Sequence, residues 1–330
     1  MSETILVTGS TGFIGARLLQ KLSEEGEKIR IFLRSESRVG ALPDSVEIVR
    51  GSFGDVESLA EAVRGTDRII HLAGVTKAPD EAGYLAGNVM PARHLLAAVK
   101  LYNPALKRFV YVSSLTAVGP ASEGIHGVKE SDPPRPVSAY GRSKLQAETV
   151  CMEHSAQIPL TIVRPPAVYG PGDKDVLQVF LMLSRGLLVS PGKAGKQRFS
   201  MIYVDDLVDG IMMAARSPQA AGRVYNITSP CSWSWDDVIT AAQPVLGFSR
   251  LWKVSLPRSL LYLIGTVIGA AGLFGGTPPL INRDKVNELV QDYWVCSPVQ
   301  AQQDFGFTAR TTLVDGISKT IEWYRLKGWL

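Results

Sequence analysis

Tyr140 and Lys144 stand four residues apart in 139–150, a stretch of helical pattern, so the two side chains share one helix face. Alone, that spacing carries little. It gains weight from Ser113-Ser114, which end the apolar strand 109–113 and so place a hydroxyl at the carboxyl edge of a sheet. In doubly wound sheets that edge is where ligands bind. A phenol, an ammonium and a hydroxyl together suit the interconversion of a secondary alcohol and a ketone. A hydride leaves or joins a carbon while a proton leaves or joins its oxygen, and the proton carrier works best with a pKa near the operating pH. A free phenol ionises near about 10. A neighbouring ammonium and a positive nicotinamide ring both stabilise phenolate. Tyr140 is then expected as general acid/base, Ser114 as the hydrogen-bond partner of the substrate oxygen, and Lys144 as the group that tunes Tyr140 and holds the cofactor ribose.

The cofactor needs a phosphate cradle, and residues 4–15, TILVTGSTGFIG, carry its pattern. Ile5, Leu6 and Val7 form a short apolar run that breaks at Thr8-Gly9. Beyond Gly12 the apolar residues Phe13, Ile14, Ala16, Leu18, Leu19 and Leu22 recur at helical spacing. Strand, glycine turn and helix form the context in which such a motif is informative. Gly9 permits the tight turn, Gly12 lets the backbone approach a pyrophosphate, and Gly15 lets the helix lie against the strand. Gly9, Ser10, Thr11, Gly12, Phe13, Ile14 and Gly15 are therefore expected to hold a dinucleotide, its phosphates over the first free N–H groups of the helix. An acidic residue usually ends the second strand where NAD is bound, but this chain has Leu33-Arg34, followed by Ser35 and Arg38. A guanidinium suits a 2′-phosphate, which favours NADP over NAD; an Arg34 stacked on adenine is the other possibility.

The elements that must position these groups alternate. Strands are expected at 29–33, 46–50, 68–72, 109–113 and 160–163, with helical patterns at 58–63 and 86–101 between them, and the chain then returns with 199–204, a helix at 206–215, and 224–227. Such alternation predicts an α/β fold: a doubly wound parallel sheet (Rossmann) with a smaller, mostly helical C-terminal substrate lobe. Residues 1–170 form the dinucleotide-binding domain, rejoined by 199–228, while 171–198 and 229–330 form the lobe. The last helix, 313–323, turns Leu313, Ile317, Thr320, Ile321 and Tyr324 to one face for packing.

Composition narrows the class. With 330 residues, 45% hydrophobic and 20% charged, the chain is globular. A net charge of +4 without a dense basic block leaves no nucleic-acid footprint. The three cysteines, Cys151, Cys231 and Cys296, argue against a disulfide framework or zinc site and suit a reducing, cytoplasmic setting. No signal peptide is read at the start. His71 is expected to be a packed or backbone-bonded residue, and His94, His126 and His154 lack ligand spacing, so no metal is expected. The charge-free stretch 259–282 is near the length of a membrane span. Its five glycines and Pro278-Pro279 favour a helix lying on a membrane surface or packed within the lobe, which would leave the protein membrane-associated.

Taken together, the glycine turn, the serine and Tyr-x-x-x-Lys resemble the extended short-chain dehydrogenase/reductases over essentially the whole chain. The resemblance also takes in His71-Leu72-Ala73-Gly74, Asn88 and the run RPPAVYGP at 164–171. It implies that Leu72, Ala73, Gly74, Asn88, Val112, Ser113, Pro165 and Val168 border the cofactor, the last two near the nicotinamide. Within that superfamily (of NAD-dependent epimerases and dehydratases) the chain is most similar to the 3β-hydroxysteroid dehydrogenase/isomerases. SSLTAVGP at 113–120, LPRSLLYLIG at 256–265 and PPLINR at 278–283 carry that likeness, with Ala301-Gln302 and KTIEW at 319–323. It implies a sterol-like substrate and a homodimer built through the two long helices.

Three departures matter. Ser52-Phe53 replace the family's usual acidic-apolar pair at the adenine, Ala167 replaces its usual asparagine, and Leu115-Thr116 stand where dehydratases carry acids. Dehydration is therefore not expected. Asp205 and Asp206 in MIYVDDL are expected to be structural helix caps. Two rivals remain: a nucleotide-sugar epimerase using the same three residues, with Arg185, Lys193, Lys196 and Arg198 as phosphate partners, and a non-enzymatic dinucleotide-binding regulator.

Overall fold

The computed structural model describes residues 2–34, 36, 42, 46–122, 127–192, 196–272 and 282–330. The first half runs β1 (Thr4–Thr8), α1 (Phe13–Glu24), β2 (Lys28–Arg34), β3 (Val46–Gly51), α2 (Val56–Val63), β4 (Arg68–His71), α3 (Glu81–Tyr84), α4 (Met90–Tyr102), β5 (Arg108–Val112), α5 (Ala139–Glu153) and β6 (Leu160–Arg164). There follow β7 (Ala167–Tyr169), α6 (Leu177–Ser184), β8 (Leu187–Pro191), β9 (Arg198–Tyr203), α7 (Val204–Arg216), β10 (Arg223–Asn226), β11 (Ser232–Trp233) and α8 (Trp235–Leu246). The chain ends with β12 (Trp252–Leu256), α9 (Arg258–Gly272), α10 (Arg283–Leu289), β13 (Tyr293–Trp294), α11 (Val299–Phe305) and α12 (Leu313–Leu326).

Strands whose two faces are both apolar belong in the middle of a three-layer sandwich. Ile5 and Val7 of β1 point to one side with Leu18 and Leu22 of α1 and Leu207 and Ile211 of α7. Leu6 points to the other, with Leu59 of α2, Leu95 and Val99 of α4 and Val150 of α5. The central sheet has seven parallel strands in the order β10-β6-β5-β4-β1-β2-β3. The chain winds outward from β1 to β3, then returns to β4 on the other side, so a crevice opens beyond the ends of β1 and β4. The expected α/β architecture with a C-terminal lobe is thus the observed one.

The lobe is built on a small sheet in which β9 pairs β11, β13 and β7. Its core joins Phe180, Leu183, Val238, Ala242, Ile317, Ile321 and Tyr324. All five residues expected on the inner face of the last helix are buried.

Several boundaries differ from expectation for local reasons. The helix expected at 86–101 begins as a π-helical turn, Leu85–Val89, before α4. Pro91 lacks an N–H and so cannot continue the normal ladder. β4 stops at His71, and α7 starts at Val204 rather than 206. Asp205 and Asp206 do not cap their own helix. The Asp206 carboxylate accepts from the backbone N–H groups of Arg310 and Thr311 at 3.1 and 3.0 Å, and Asp205 pairs with Arg17. They tether neighbouring segments to α7. No described helix is long and apolar enough to cross a membrane. Of the stretch 259–282, α9 holds the first part, and 273–281 lie outside the described residues.

Candidate active site

The glycine turn separates into residues required by the fold and one that the fold leaves free. Gly9 has φ +73°, and a Cβ there would lie 2.6 Å from the Ala73 nitrogen. A Cβ on Gly15 would lie 2.2 Å from the Gly9 carbonyl oxygen. Both positions exclude a side chain by sterics. A Cβ on Gly12 would meet only the Gly9 oxygen, at 3.3 Å, with open space beyond. Gly12 begins α1 with no side-chain cap, and the buried Ser10 hydroxyl beside it has no hydrogen-bond partner among the described residues. Free helix N–H groups, an orphaned hydroxyl and bare backbone fit a pyrophosphate. Thr11, Phe13 and Ile14 complete this turn. Arg34 is exposed at the end of β2, and Ser52 is exposed after β3; Ser35 and Arg38 lie outside the described residues. The Phe53 ring sits edge-on to Phe32 and His71, with centroids 5.2 and 5.7 Å apart.

The segment after β4 is tied down on both sides. Leu72 donates its N–H to the Thr8 carbonyl at 3.1 Å, and Ala73 donates to the Thr8 hydroxyl at 3.3 Å. His71, fully buried, lies 2.6 Å from that hydroxyl through Nδ1. Burial, with a smaller push from the Lys144 charge, lowers its pKa to about 3, so the ring is neutral. Asn88, in the π-helical turn, accepts from the Val75 N–H at 2.8 Å and donates to the Val75 carbonyl and the Ser143 hydroxyl at 3.1 and 2.9 Å. Gly74 passes beside it, where a Cβ would lie 2.7 Å from Oδ1. Asn88 therefore braces the 72–75 segment against α5.

Ser114 and Tyr140 meet on the wall of one cavity of about 370 Å³. Ser114 follows β5 directly, and its Oγ accepts from the Thr116 N–H and hydroxyl at 3.2 and 2.9 Å. Tyr140 lies in the first turn of α5, which Ser138 caps by accepting the Gly141 N–H at 3.0 Å. Burial raises the Tyr140 pKa first, the Glu288 charge raises it further, and hydrogen bonding to Ser114 opposes them. Lys144, one turn along, is buried and donates to the Val112 carbonyl at 2.9 Å and the Tyr111 hydroxyl at 3.3 Å. Burial lowers its own pKa to about 8, against the pull of Glu148. The expected depression of Tyr140 by Lys144 is therefore not what the protein alone produces: a buried ammonium has turned to the nearest carbonyl and leaves the phenol neutral.

A buried ion pair supports this wall. Glu148 accepts two bonds from Arg164, at 2.9 and 2.6 Å, and one from Ser113 at 2.5 Å. It thereby joins α5 to the ends of β5 and β6. Pro165 accepts from the Leu115 N–H at 2.8 Å, and the partly buried Val168 packs toward the sheet core.

Residues of α10, not singled out in the sequence, complete the cavity. The Asp284 carboxylate accepts the Ala139 N–H, 2.9 Å from each oxygen. Glu288, buried, accepts from the Ser138 hydroxyl and from Lys285, both at 2.6 Å. Two acids four residues apart after Asn282 were the available signal, but nothing local indicates that they face α5. Thr116, Gln197, Arg198 and Trp235 also line this cavity, Lys196 is exposed, and Lys193 lies outside the described residues. A further cavity of about 530 Å³, bordered by Asp209, Arg216 and Phe307, shares no residue with it.

A doubly wound sheet with a pyrophosphate-fitting turn and a Ser/Tyr/Lys cluster defines a dinucleotide-dependent enzyme. Residues 5–228 match the NAD dependent epimerase/dehydratase family, and the chain belongs to it. It is an NAD(P)-dependent enzyme of the extended short-chain dehydrogenase/reductase type. It is 29% identical to the ceramide reductase of Caulobacter vibrioides over 99% of this chain and 96% of that protein. It is 34% identical to sterol demethylase protein B of Methylococcus capsulatus over 52% of this chain and 53% of that protein. The structure of MoeE5 in complex with UDP-glucuronic acid and NAD is similar with a TM-score of 0.77 and 25% identity, covering 98% of this chain and 99% of that one.

Proposed function

We propose that this enzyme reduces a ketone to a secondary alcohol, or runs the reverse, on a mostly apolar, lipid- or sterol-like substrate. The observation that carries it is the meeting of Ser114 and Tyr140 on a cavity wall otherwise rich in Pro166, Val176, Val179, Met201 and Trp235. Gly9 to Gly15 hold the dinucleotide, with Leu72, Ala73, Gly74, Val112, Ser113, Pro165 and Val168 along its path; Asn88 acts through the segment it braces. The exposed Arg34 takes a 2′-phosphate, which makes NADP the preferred cofactor. When bound, the nicotinamide supplies or accepts the hydride. Tyr140 gives its proton to the ketone oxygen, and Ser114 donates to the same oxygen as negative charge builds there. A phenol held neutral by burial and by Glu288 is in the form that reduction requires. Lys144 holds the ribose.

The names ceramide reductase and sterol demethylase protein B agree with a lipid substrate, as does the likeness to the 3β-hydroxysteroid dehydrogenase/isomerases. Tyr140→Phe should lower NADPH-dependent turnover of lipid ketones by about 100-fold or more, with cofactor affinity changed less than about threefold. Retained turnover would overturn the assignment. The same proposal includes a homodimer through α4 and α5, on whose surfaces Met90, Leu101 and Met152 stay exposed, and a peripheral membrane contact through α9.

Nucleotide-sugar epimerisation is the second possibility, favoured by Arg198 and Lys285 on the cavity wall and by the UDP-glucuronic acid bound in MoeE5. Arg198 is, however, engaged by the Ser232 carbonyl at 3.0 Å and by Asp237 at 3.6 Å. Conversion of a UDP-sugar without net change in NAD(P)H would decide for it.

A further inference from the structure

Most polar side chains on the cavity wall are already committed. Gln197 donates to the Leu289 and Gln291 carbonyls, both at 2.9 Å, and accepts from the Trp235 indole at 3.0 Å. Ser200 accepts from the Cys296 N–H at 3.1 Å. Unspent capacity remains at Ser114 with Tyr140, at Lys285 with Glu288, and at the buried Arg198 Nε, which has no partner among the described residues and stands apart from either pair. The ammonium has three donors and gives one to Glu288; each Glu288 oxygen takes one bond and keeps a second lone pair.

The second pair is held in fixed relation to the first. Glu288 is bonded to Ser138, the cap of the helix that bears Tyr140, and Asp284 binds the next N–H of the same turn. Its charge is felt at the phenol. The pair is also neutral as a unit, so a charged substrate group would have to compete with one partner for the other. A neutral group that both donates and accepts has no such conflict. An amide can give its N–H to Glu288 while its carbonyl accepts from Lys285, and a hydroxyl can do both through one oxygen.

We propose that Lys285 and Glu288 recognise an amide or hydroxyl group that the substrate carries a few bonds from its ketone. This rests on the reductase assignment, and binding and turnover must therefore be read separately. Trp235 and Trp294 line the cavity, so tryptophan fluorescence of the intact protein with NADP reports ligand binding directly. The probes are a long-chain ketone with an amide on the adjacent carbon, its hydroxyl counterpart, and a plain ketone of equal carbon count. The wild type should bind the first two about tenfold or more tightly than the plain ketone. Glu288→Gln and Lys285→Met should each bring that ratio within about threefold of unity. The Glu288→Gln variant keeps a carbonyl oxygen to accept from Ser138, and the Lys285 side chain is half exposed, so at least the second variant keeps the fold. A merely structural role would weaken all three ligands together and leave the ratio at its wild-type value. Equal wild-type affinities, absent binding of all three, or a ratio that survives both variants would overturn the proposal. NADPH oxidation in parallel samples that hold NADPH in place of NADP tests the other assignment: a tenfold binding preference without turnover would sink the reductase and keep the recognition site, and turnover without preference the reverse.

Discussion

His71 and Lys144 are both buried, and burial governs the titration of each. His71 is neutral in the folded protein down to about pH 3, whereas in the unfolded chain it protonates near its ordinary value of about 6.5. Above that value the two states bind protons alike. Below it the unfolded chain gains a proton that the folded protein refuses, so stability falls as pH falls, by about 1.4 kcal/mol per pH unit until the folded value is reached. Urea midpoints measured between pH 6.5 and 4.5 should show that slope, and His71→Asn should be flatter by about that amount; equal slopes would mean that His71 charges without unfolding. The sequence supported a packed histidine after a buried strand, and it is one. The tuning of Tyr140 was not legible in the same way. Four-residue spacing determines that Tyr140 and Lys144 share a face, but which charge dominates at the phenol depends on Glu288, from a helix far along the chain.

At the scale of elements, the α1 turn offers a test that separates folding from ligand binding. Gly15→Ala would drive a Cβ into the Gly9 carbonyl, and loss of the folded protein is expected. Gly12→Ala meets no such obstacle, so its cost should be about 1 kcal/mol or less, the scale of a changed N-cap. Its NADPH affinity should nonetheless drop about tenfold or more, read by thermal shift; undiminished affinity would remove the pyrophosphate from this turn. α5 depends on a different device. Glu148→Ala leaves the Arg164 guanidinium buried without its partner, and a loss of about 3–5 kcal/mol is expected in denaturant unfolding. The seven parallel strands were readable because buried strands are short apolar runs between turn residues. The pairing of β8 with β12 was not, since β12 is largely exposed and its partner lies far away in sequence. Nor was the π-helical turn, whose signal reduces to Pro91 just beyond it.

Across the whole molecule, α10 connects the surface to the chemistry. On one side it carries Asp284 and Glu288 to the cap of α5. On the other it packs α9, where a Cβ on Gly265 would lie 2.8 Å from Val286, and where the Tyr262 hydroxyl donates to Asn287 at 3.0 Å. Gly265 thus sets the inner face of α9 and turns Leu260, Leu263 and Val267 outward at helical spacing. Leu263 and Val267 are each 60% exposed, and Trp252 on β12 is 75% exposed. Apolar side chains in such a row, on a helix whose described residues are too few to span, are suited to lie in a lipid interface. Under the proposed membrane contact, α9 would meet the bilayer on one side of α10, and the cavity that Lys285, Glu288 and Leu289 of α10 line lies on the other. Leu263→Glu with Val267→Glu removes two large side chains from the interface, each worth about 1.5–3 kcal/mol when buried. Co-sedimentation with zwitterionic vesicles, which excludes simple charge attraction, should fall at least about tenfold in the double variant. Turnover of a ketone dissolved in detergent-free buffer should change far less than turnover of the same ketone in vesicles. Equal sedimentation of the variant and the wild type would show that α9 meets something other than lipid.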